Sequence, residues 1–263
     1  MSAPLYVVDA FADRPFAGNP AAVVPLDGPP AENWMKRIAL EMNLSETAFV
    51  WPEVDGYRLR WLTPAVEVDL CGHATLAASH VLWETGRVKR ESPIRFHTRS
   101  GALSAAISGE LIELDFPAKP ATMTAPDPAV LAALGTTAIE YGLNGTDALV
   151  VVETELQVVK MTPDFRKLAT VGVRGVIVTA KSNTPDRDFV SRFFGPGVGI
   201  DEDPVTGSAH CCLGSYWGQK LGKTELIGYQ ASARGGTVRV RLVGDRAMLG
   251  GRAFTILRGE IVV

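Results

Sequence analysis

Glu46 stands in Asn43-Leu44-Ser45-Glu46-Thr47-Ala48-Phe49-Val50, where a carboxyl enters an apolar stretch. Most glutamates are solvated, but a carboxyl beside apolar strands is well placed to give and take a proton. His73, one of four histidines, follows Gly72 in Leu70-Cys71-Gly72-His73-Ala74 and opens an apolar segment of helical length. The positive end of a helix disfavours an imidazolium, so a neutral ring able to accept or donate a proton is expected there. The other reading is a histidine hydrogen-bonded to backbone. Asp203 and Ser208 lie in Asp201-Glu202-Asp203-Pro204-Val205-Thr206-Gly207-Ser208. Either could cap the helix that follows or meet a ligand.

Gly72 and Gly207 each precede a helix. The first-turn N–H groups of a helix lack internal partners and sit at its positive end. Two such ends facing one another across a cleft would bind a small carboxylate; the alternative is that the glycines only let the chain turn tightly. No metal is expected. There is no C-x-x-C and no H-E-x-x-H, and His210, Cys211 and Cys212 are consecutive, so a helix would point them apart. No phosphate loop and no dinucleotide fingerprint is present, so no cofactor is expected. The absence of G-x-S-x-G removes the usual hydrolase signal.

The elements that would position these groups occur twice. Arg60-Trp61-Leu62-Thr63-Pro64 resembles Arg192-Phe193-Phe194-Gly195-Pro196. Cys71-Gly72-His73-Ala74 matches Thr206-Gly207-Ser208-Ala209 at an offset of 135, and Arg99-Ser100-Gly101 and Gly109 match Arg234-Gly235-Gly236 and Gly244 at the same offset. On this register Ser208 corresponds to His73, and the counterpart of Glu46 falls near Arg174-Gly175-Val176, where there is no acid. Two similar domains are therefore expected, at residues 1–117 and 118–263, joined through the Pro-rich Phe116-Pro117-Ala118-Lys119-Pro120.

Apolar periodicity predicts helices over 31–42, 73–85 and 208–221, with a short one from 163. Strands are expected around 5–11, 21–24, 47–51, 57–62 and 94–116, then at 148–153, 156–160, 174–180 and 188–194 and on to the C-terminus. The helices at 73 and 208 are apolar around nearly their whole circumference, which marks them as buried on all sides. The class this implies is α+β, with a curled, mostly antiparallel sheet around a central helix in each half.

Composition excludes several roles. The chain has 263 residues, 26 Lys+Arg against 29 Asp+Glu, a net charge of −3 and no basic run. No nucleic-acid partner is expected, because phosphate neutralisation needs an excess of cations. Three cysteines, two of them adjacent, make no disulfide framework. No apolar run is long enough to span a membrane, and the N-terminus has no basic region of a signal peptide. These features predict a cytoplasmic chain.

Four motifs together resemble the PhzF-like phenazine-biosynthesis family: Phe16-Ala17-Gly18-Asn19-Pro20-Ala21-Ala22-Val23, the stretch around Glu46, Leu70-Cys71-Gly72-His73-Ala74-Thr75, and Glu202 to His210. The likeness extends from residue 5 to the last strands. The resemblance implies a diaminopimelate-epimerase-like fold, a homodimer, and a cofactor-free, metal-free isomerase. Its best-known member acts on trans-2,3-dihydro-3-hydroxyanthranilate. By the same resemblance Glu46 would transfer the proton. His73, Asp203 and Ser208 would be the other active-site residues, and Ser45, Gly72 and Gly207 would help bind the substrate. Related racemases use a thiol at each central-helix start. Here those positions are Cys71 and Thr206, which disfavours a two-base mechanism and favours one shuttling carboxylate. Two other readings are an amino-acid epimerase and a non-catalytic protein that binds small carboxylates.

Overall fold

The structure, a computed structural model, describes residues 2–263. The chain packs as two units, Met1–Phe116 with Leu249–Val263 and Pro117–Met248. In the first lie β1 (Ser2–Ala10), β2 (Asn19–Pro25), α1 (Glu32–Met42), β3 (Glu46–Glu53), β4 (Gly56–Leu62), β5 (Glu67–Val68), α2 (Gly72–Glu84), β6 (Ile94–Thr98), β7 (Gly101–Ser108) and β8 (Leu111–Pro117). The second begins with β9 (Thr122–Met123), α3 (Pro128–Leu134), β10 (Glu140–Leu143), β11 (Asp147–Val151), α4 (Glu155–Val159) and α5 (Phe165–Leu168). It continues through β12 (Gly175–Lys181), β13 (Phe189–Gly195), β14 (Ile200–Asp203), α6 (Gly207–Leu221), β15 (Glu225–Gln230) and β16 (Gly236–Val243). The chain returns to the first unit within β17 (Arg246–Gly251) and ends with β18 (Ala253–Val262). No helix among the described residues is long and apolar enough to cross a membrane.

The two units have one strand-pairing pattern. In the first, β1 is antiparallel to β2 and β2 parallel to β3. Strand β4 is antiparallel to β3 and β5 and parallel to β6, which is antiparallel to β7. In the second, β10 is antiparallel to β11 and β11 parallel to β12. Strand β13 is antiparallel to β12 and β14 and parallel to β15, which is antiparallel to β16. Even an ion pair is repeated. Arg60 of β4 grips Glu67 of β5 through two bonds of 2.7 and 2.6 Å. Arg192 of β13 grips Glu202 of β14 through bonds of 2.7 and 2.8 Å.

Each unit buries one helix. Ten of the thirteen residues of α2 are buried, from His73 to Trp83, and α6 is buried from Gly207 to Gly218 save Ser208 and Ser215. Both start at the matched glycine, and Gly222, left-handed at φ 64°, ends α6. In the first unit α1 lays Met35, Ile38 and Ala39 on the other face of the sheet, against Phe49 and Leu62.

Two expectations change. Residues 249–263 do not stay with the second half. Strand β18 pairs with β1 along nearly its whole length, from Ser2 with Val262 to Ala10 with Ala253, and so closes the first unit. The apolar pattern at 156–160 is not a strand. Thr154 and Gln157 form a capping box that starts α4 at Glu155. The local hydrogen bonds win over a pattern too short to distinguish strand from helix.

Candidate active site

Glu46 is the first residue of β3, in register with Ala21 of the parallel β2. His73 is the second residue of α2. Burial of α2 against this part of the sheet brings Glu46 Oε2 within 3.2 Å of His73 Nε2, with side chains 12% and 5% exposed. The pair is close but not aligned as a hydrogen bond. Both atoms are buried, and neither has a hydrogen-bond partner. At this distance the two groups attract one another as an ion pair whenever the ring is protonated, so the carboxyl is held in a fixed place at the start of β3.

The far side of the ring is lined as well. Nδ1 lies 3.1 Å from the side-chain amide of Asn19 and 3.5 Å from Cys71 Sγ. Burial is the largest single influence on His73 and pushes its pKa down, but the facing Cys71 and Glu46 outweigh it and hold the ring well above its usual value. Burial also pushes the Cys71 thiol up to about 11, so at neutral pH the thiol is uncharged. Cys71 on one side of the ring and Glu46 on the other are thus the groups that favour a proton on His73. A doubly protonated ring needs an acceptor at Nδ1, which the Asn19 side-chain amide supplies when its oxygen rather than its nitrogen faces the ring. The neutral imidazole expected from the helix end is corrected accordingly. Groups facing the ring from Cys71 and Glu46 act on it together and raise it, against the pull of the helix end and of burial.

Asn19 is aimed by its neighbour. Gly18 has φ +68°, and a Cβ there would lie 2.2 Å from the Ala10 carbonyl oxygen. Gly18→Ala is expected to destabilise the protein by about 2–4 kcal/mol, from left-handed strain and overpacking together. A denaturant melt reads this directly, and an unchanged midpoint would mean that the turn relaxes without cost.

In the second unit, Thr206 is the N-cap of α6 and makes no side-chain cap. Its hydroxyl donates instead to Asp203 Oδ2 at 2.5 Å. Asp203 ends β14 and is not the cap. Gln230, fully buried, ties the two together. Its amide N–H donates to the Asp203 carbonyl at 2.7 Å, and its Oε1 accepts from Thr206 N–H at 2.9 Å. Ser208 Oγ accepts from Arg174 Nη2 at 3.2 Å, and Arg174 is gripped by Asp147.

Ser45 directly precedes β3, and Gly72 and Gly207 are the first residues of α2 and α6. Neither glycine has positive φ. The backbone does not demand glycine there, so what they supply is the absence of a side chain beside the first-turn amides. Cys71 and Thr206 are the two N-caps, as the repeat implies. A thiol held near 11 and a hydroxyl make poor bases.

Sequence reasoning missed Gln230, Asp147 and Arg174. Arg174 was within reach of the repeat. Register pairs Phe49 with Arg60 and Val178 with Arg192, so Glu46 corresponds to Gly175 and Ser45 to Arg174. No acid fits at Gly175, where a Cβ would lie 2.2 Å from the Phe193 ring.

Glu46, Cys71 and His73 place one ligand-type atom each within 4.8 Å of one another. They do not suit one ion. Glu46 faces Nε2 while Cys71 faces Nδ1, so the two partners approach opposite nitrogens of a single ring.

Comparison with known proteins agrees with this architecture. The sequence model of the PhzC-PhzF family, described as "Phenazine biosynthesis-like protein", matches residues 8–259. The chain is 50% identical to an uncharacterized isomerase of Halalkalibacterium halodurans, over the full length of both. It superposes on the crystal structure of a PhzF-family phenazine biosynthesis protein from Enterococcus faecalis with a TM-score of 0.95, at 45% identity and complete coverage of both chains. A hydroxyproline epimerase from Agrobacterium vitis shares the fold, with a TM-score of 0.62 at 12% identity, covering 99% of this chain and 92% of the other. The fold and the paired central helices define an α+β protein of the epimerase and racemase architecture. Within that class, the chain belongs to the PhzC-PhzF family.

Proposed function

We propose that the protein is a cofactor-independent isomerase that moves a proton within a small unsaturated carboxylic acid, with Glu46 as the shuttling acid/base. The observation that carries this is the buried carboxyl and imidazole pair, Glu46 Oε2 and His73 Nε2, 3.2 Å apart. The Glu46 carboxylate takes a proton from a carbon next to the unsaturated system. The C–H electron pair shifts into that system, and the same carboxyl returns the proton at the other end. One bond to hydrogen breaks and one forms, so nothing is oxidised or reduced. The His73 imidazolium, answered at Nδ1 by Asn19, orients the carboxylate and steadies its charge. Asp203, Ser208, Ser45 and the amides at Gly72 and Gly207 are assigned to substrate contact by their match to the family's motifs. The isomerase name carried by the Halalkalibacterium relative supports the reaction class.

The test is proton NMR in deuterium oxide with trans-2,3-dihydro-3-hydroxyanthranilate and other cyclic unsaturated acids. Isomerised product is the expected outcome, with the migrated hydrogen retained from substrate, or replaced by deuterium to the extent that the carboxyl exchanges with solvent before returning it. Deuterium entering the α-carbon of both stereoisomers of an amino acid would favour the epimerase reading instead. Binding without isomerisation or exchange would leave a carboxylate-binding protein.

A further inference from the structure

The second unit holds a polar chain that the proton transfer does not use. Asp147 opens β11 with its side chain 1% exposed. Its backbone N–H donates to Asn144 Oδ1 at 2.9 Å, which fixes the turn that delivers it. Both carboxylate oxygens are taken by one guanidinium, through Arg174 Nε at 2.8 Å and Nη2 at 2.6 Å. Arg174 is held at its backbone too, donating to the Thr146 carbonyl at 2.8 Å, and its guanidinium lies 5.7 Å from the centre of the Phe193 ring. From this fixed position Nη2 reaches Ser208 Oγ at 3.2 Å.

The direction of that bond decides what Ser208 can do. A guanidinium has five N–H donors and no acceptor. Ser208 therefore accepts from Arg174, and its own O–H points elsewhere with no acceptor among the described residues. A hydroxyl that accepts from a cation is polarised toward donating, and its best partner is an anionic oxygen. The repeat points the same way. Arg174 occupies the place of Ser45 in the first unit, and Ser208 the place of His73.

We propose that Asp147 and Arg174 form a positioning relay that fixes Ser208 as hydrogen-bond donor to an anionic oxygen of the substrate. The proposal rests on the reading that the substrate is a small carboxylic acid. Arg174 acts through Ser208, and Asp147 acts through Arg174.

Benzoate is the probe, with benzamide as its uncharged counterpart, and binding is followed by NMR titration. Ser208→Ala is expected to weaken benzoate binding about tenfold or more and benzamide binding little. Arg174→Lys keeps the charge and a bond to Asp147 but loses the fork that reaches two partners at once. It is expected to weaken benzoate similarly, and adding it to Ser208→Ala is expected to cost little more. Truncating Arg174 alone would strand a buried carboxylate. The double variant Asp147→Asn with Arg174→Met avoids this, and its melting temperature reports whether it folds. With the preferred substrate, KM is expected to rise while kcat holds. Unchanged benzoate affinity in Ser208→Ala, or full additivity of Ser208→Ala and Arg174→Lys, overturns the relay alone. If the wild-type protein does not bind benzoate at all, the carboxylate-substrate reading fails and takes the relay with it.

Discussion

Glu46→Gln is expected to lower kcat by about 10²–10⁴ while leaving the affinity for a bound carboxylate within a small factor. Gln keeps the shape of Glu46 and its contact with His73 but cannot carry a proton between two carbons. A second consequence follows from the 3.2 Å contact. Without the carboxylate, His73 loses one of the two neighbours that raise it, and its proton is released at lower pH. The variant therefore loses both the shuttle and the charge that oriented it. Glu46→Asp retains the acid but withdraws it by one methylene, and is expected to fall between the wild type and Gln. Steady-state rates on the substrate identified by NMR decide the matter, and near-wild-type turnover in Glu46→Gln would remove Glu46 from the mechanism.

The second large effect concerns stability in acid. His210 lies in α6, fully buried, and its Nδ1–H donates to the Thr206 carbonyl at 2.9 Å. Nε2 has no partner, and the ring lies 5.9 Å from that of Phe189. Burial pushes its pKa down to about 4, because an imidazolium there would face apolar surroundings. A histidine depressed in the folded state stays neutral while the unfolded chain takes up a proton below about 6.5. Its contribution is thus intact above pH 6.5 and is lost as pH falls toward 4. At about 1.4 kcal/mol per pH unit, the loss approaches about 3 kcal/mol at pH 4. His73 has the opposite sign. With its folded value raised, its contribution is fully present below 6.5 and fades as pH rises through that higher value. It cannot account for acid instability. Urea melts between pH 7 and 4 are expected to show a steeper fall for wild type than for His210→Gln, which keeps a donor for Thr206 and has nothing to titrate. Equal slopes would assign the acid sensitivity to other groups.

Much of the scaffold was legible because its causes are local. The apolar circumference of residues 73–85 and 208–221 allowed no solvated face, and both segments became the buried α2 and α6. The repeat was legible because matched residues do matched work. Arg60 and Arg192 each grip a glutamate on the next strand, and Gly72 and Gly207 each begin a helix. Glu46 and His73 could be named from their motifs, but the 26 residues between them carry no statement of distance.

What the sequence by itself determined was the identity and order of the parts: two sheet-and-helix units, two glycine helix starts, and a carboxyl entering an apolar strand. Tertiary structure alone decided the states of those parts. The charge on His73 depends on a carboxylate 3.2 Å away and on burial, neither of which can be read from its neighbours in sequence. The direction of the Ser208 hydroxyl depends on Arg174, 34 residues earlier, and on Asp147, 27 residues before that. Strand β18 joined the unit of β1 because β1 offered it an antiparallel edge along nearly its full length. Periodicity and capping act over a few residues and leave their pattern in the chain. Electrostatic and hydrogen-bond states depend on separation in space, which exists only once the chain has folded.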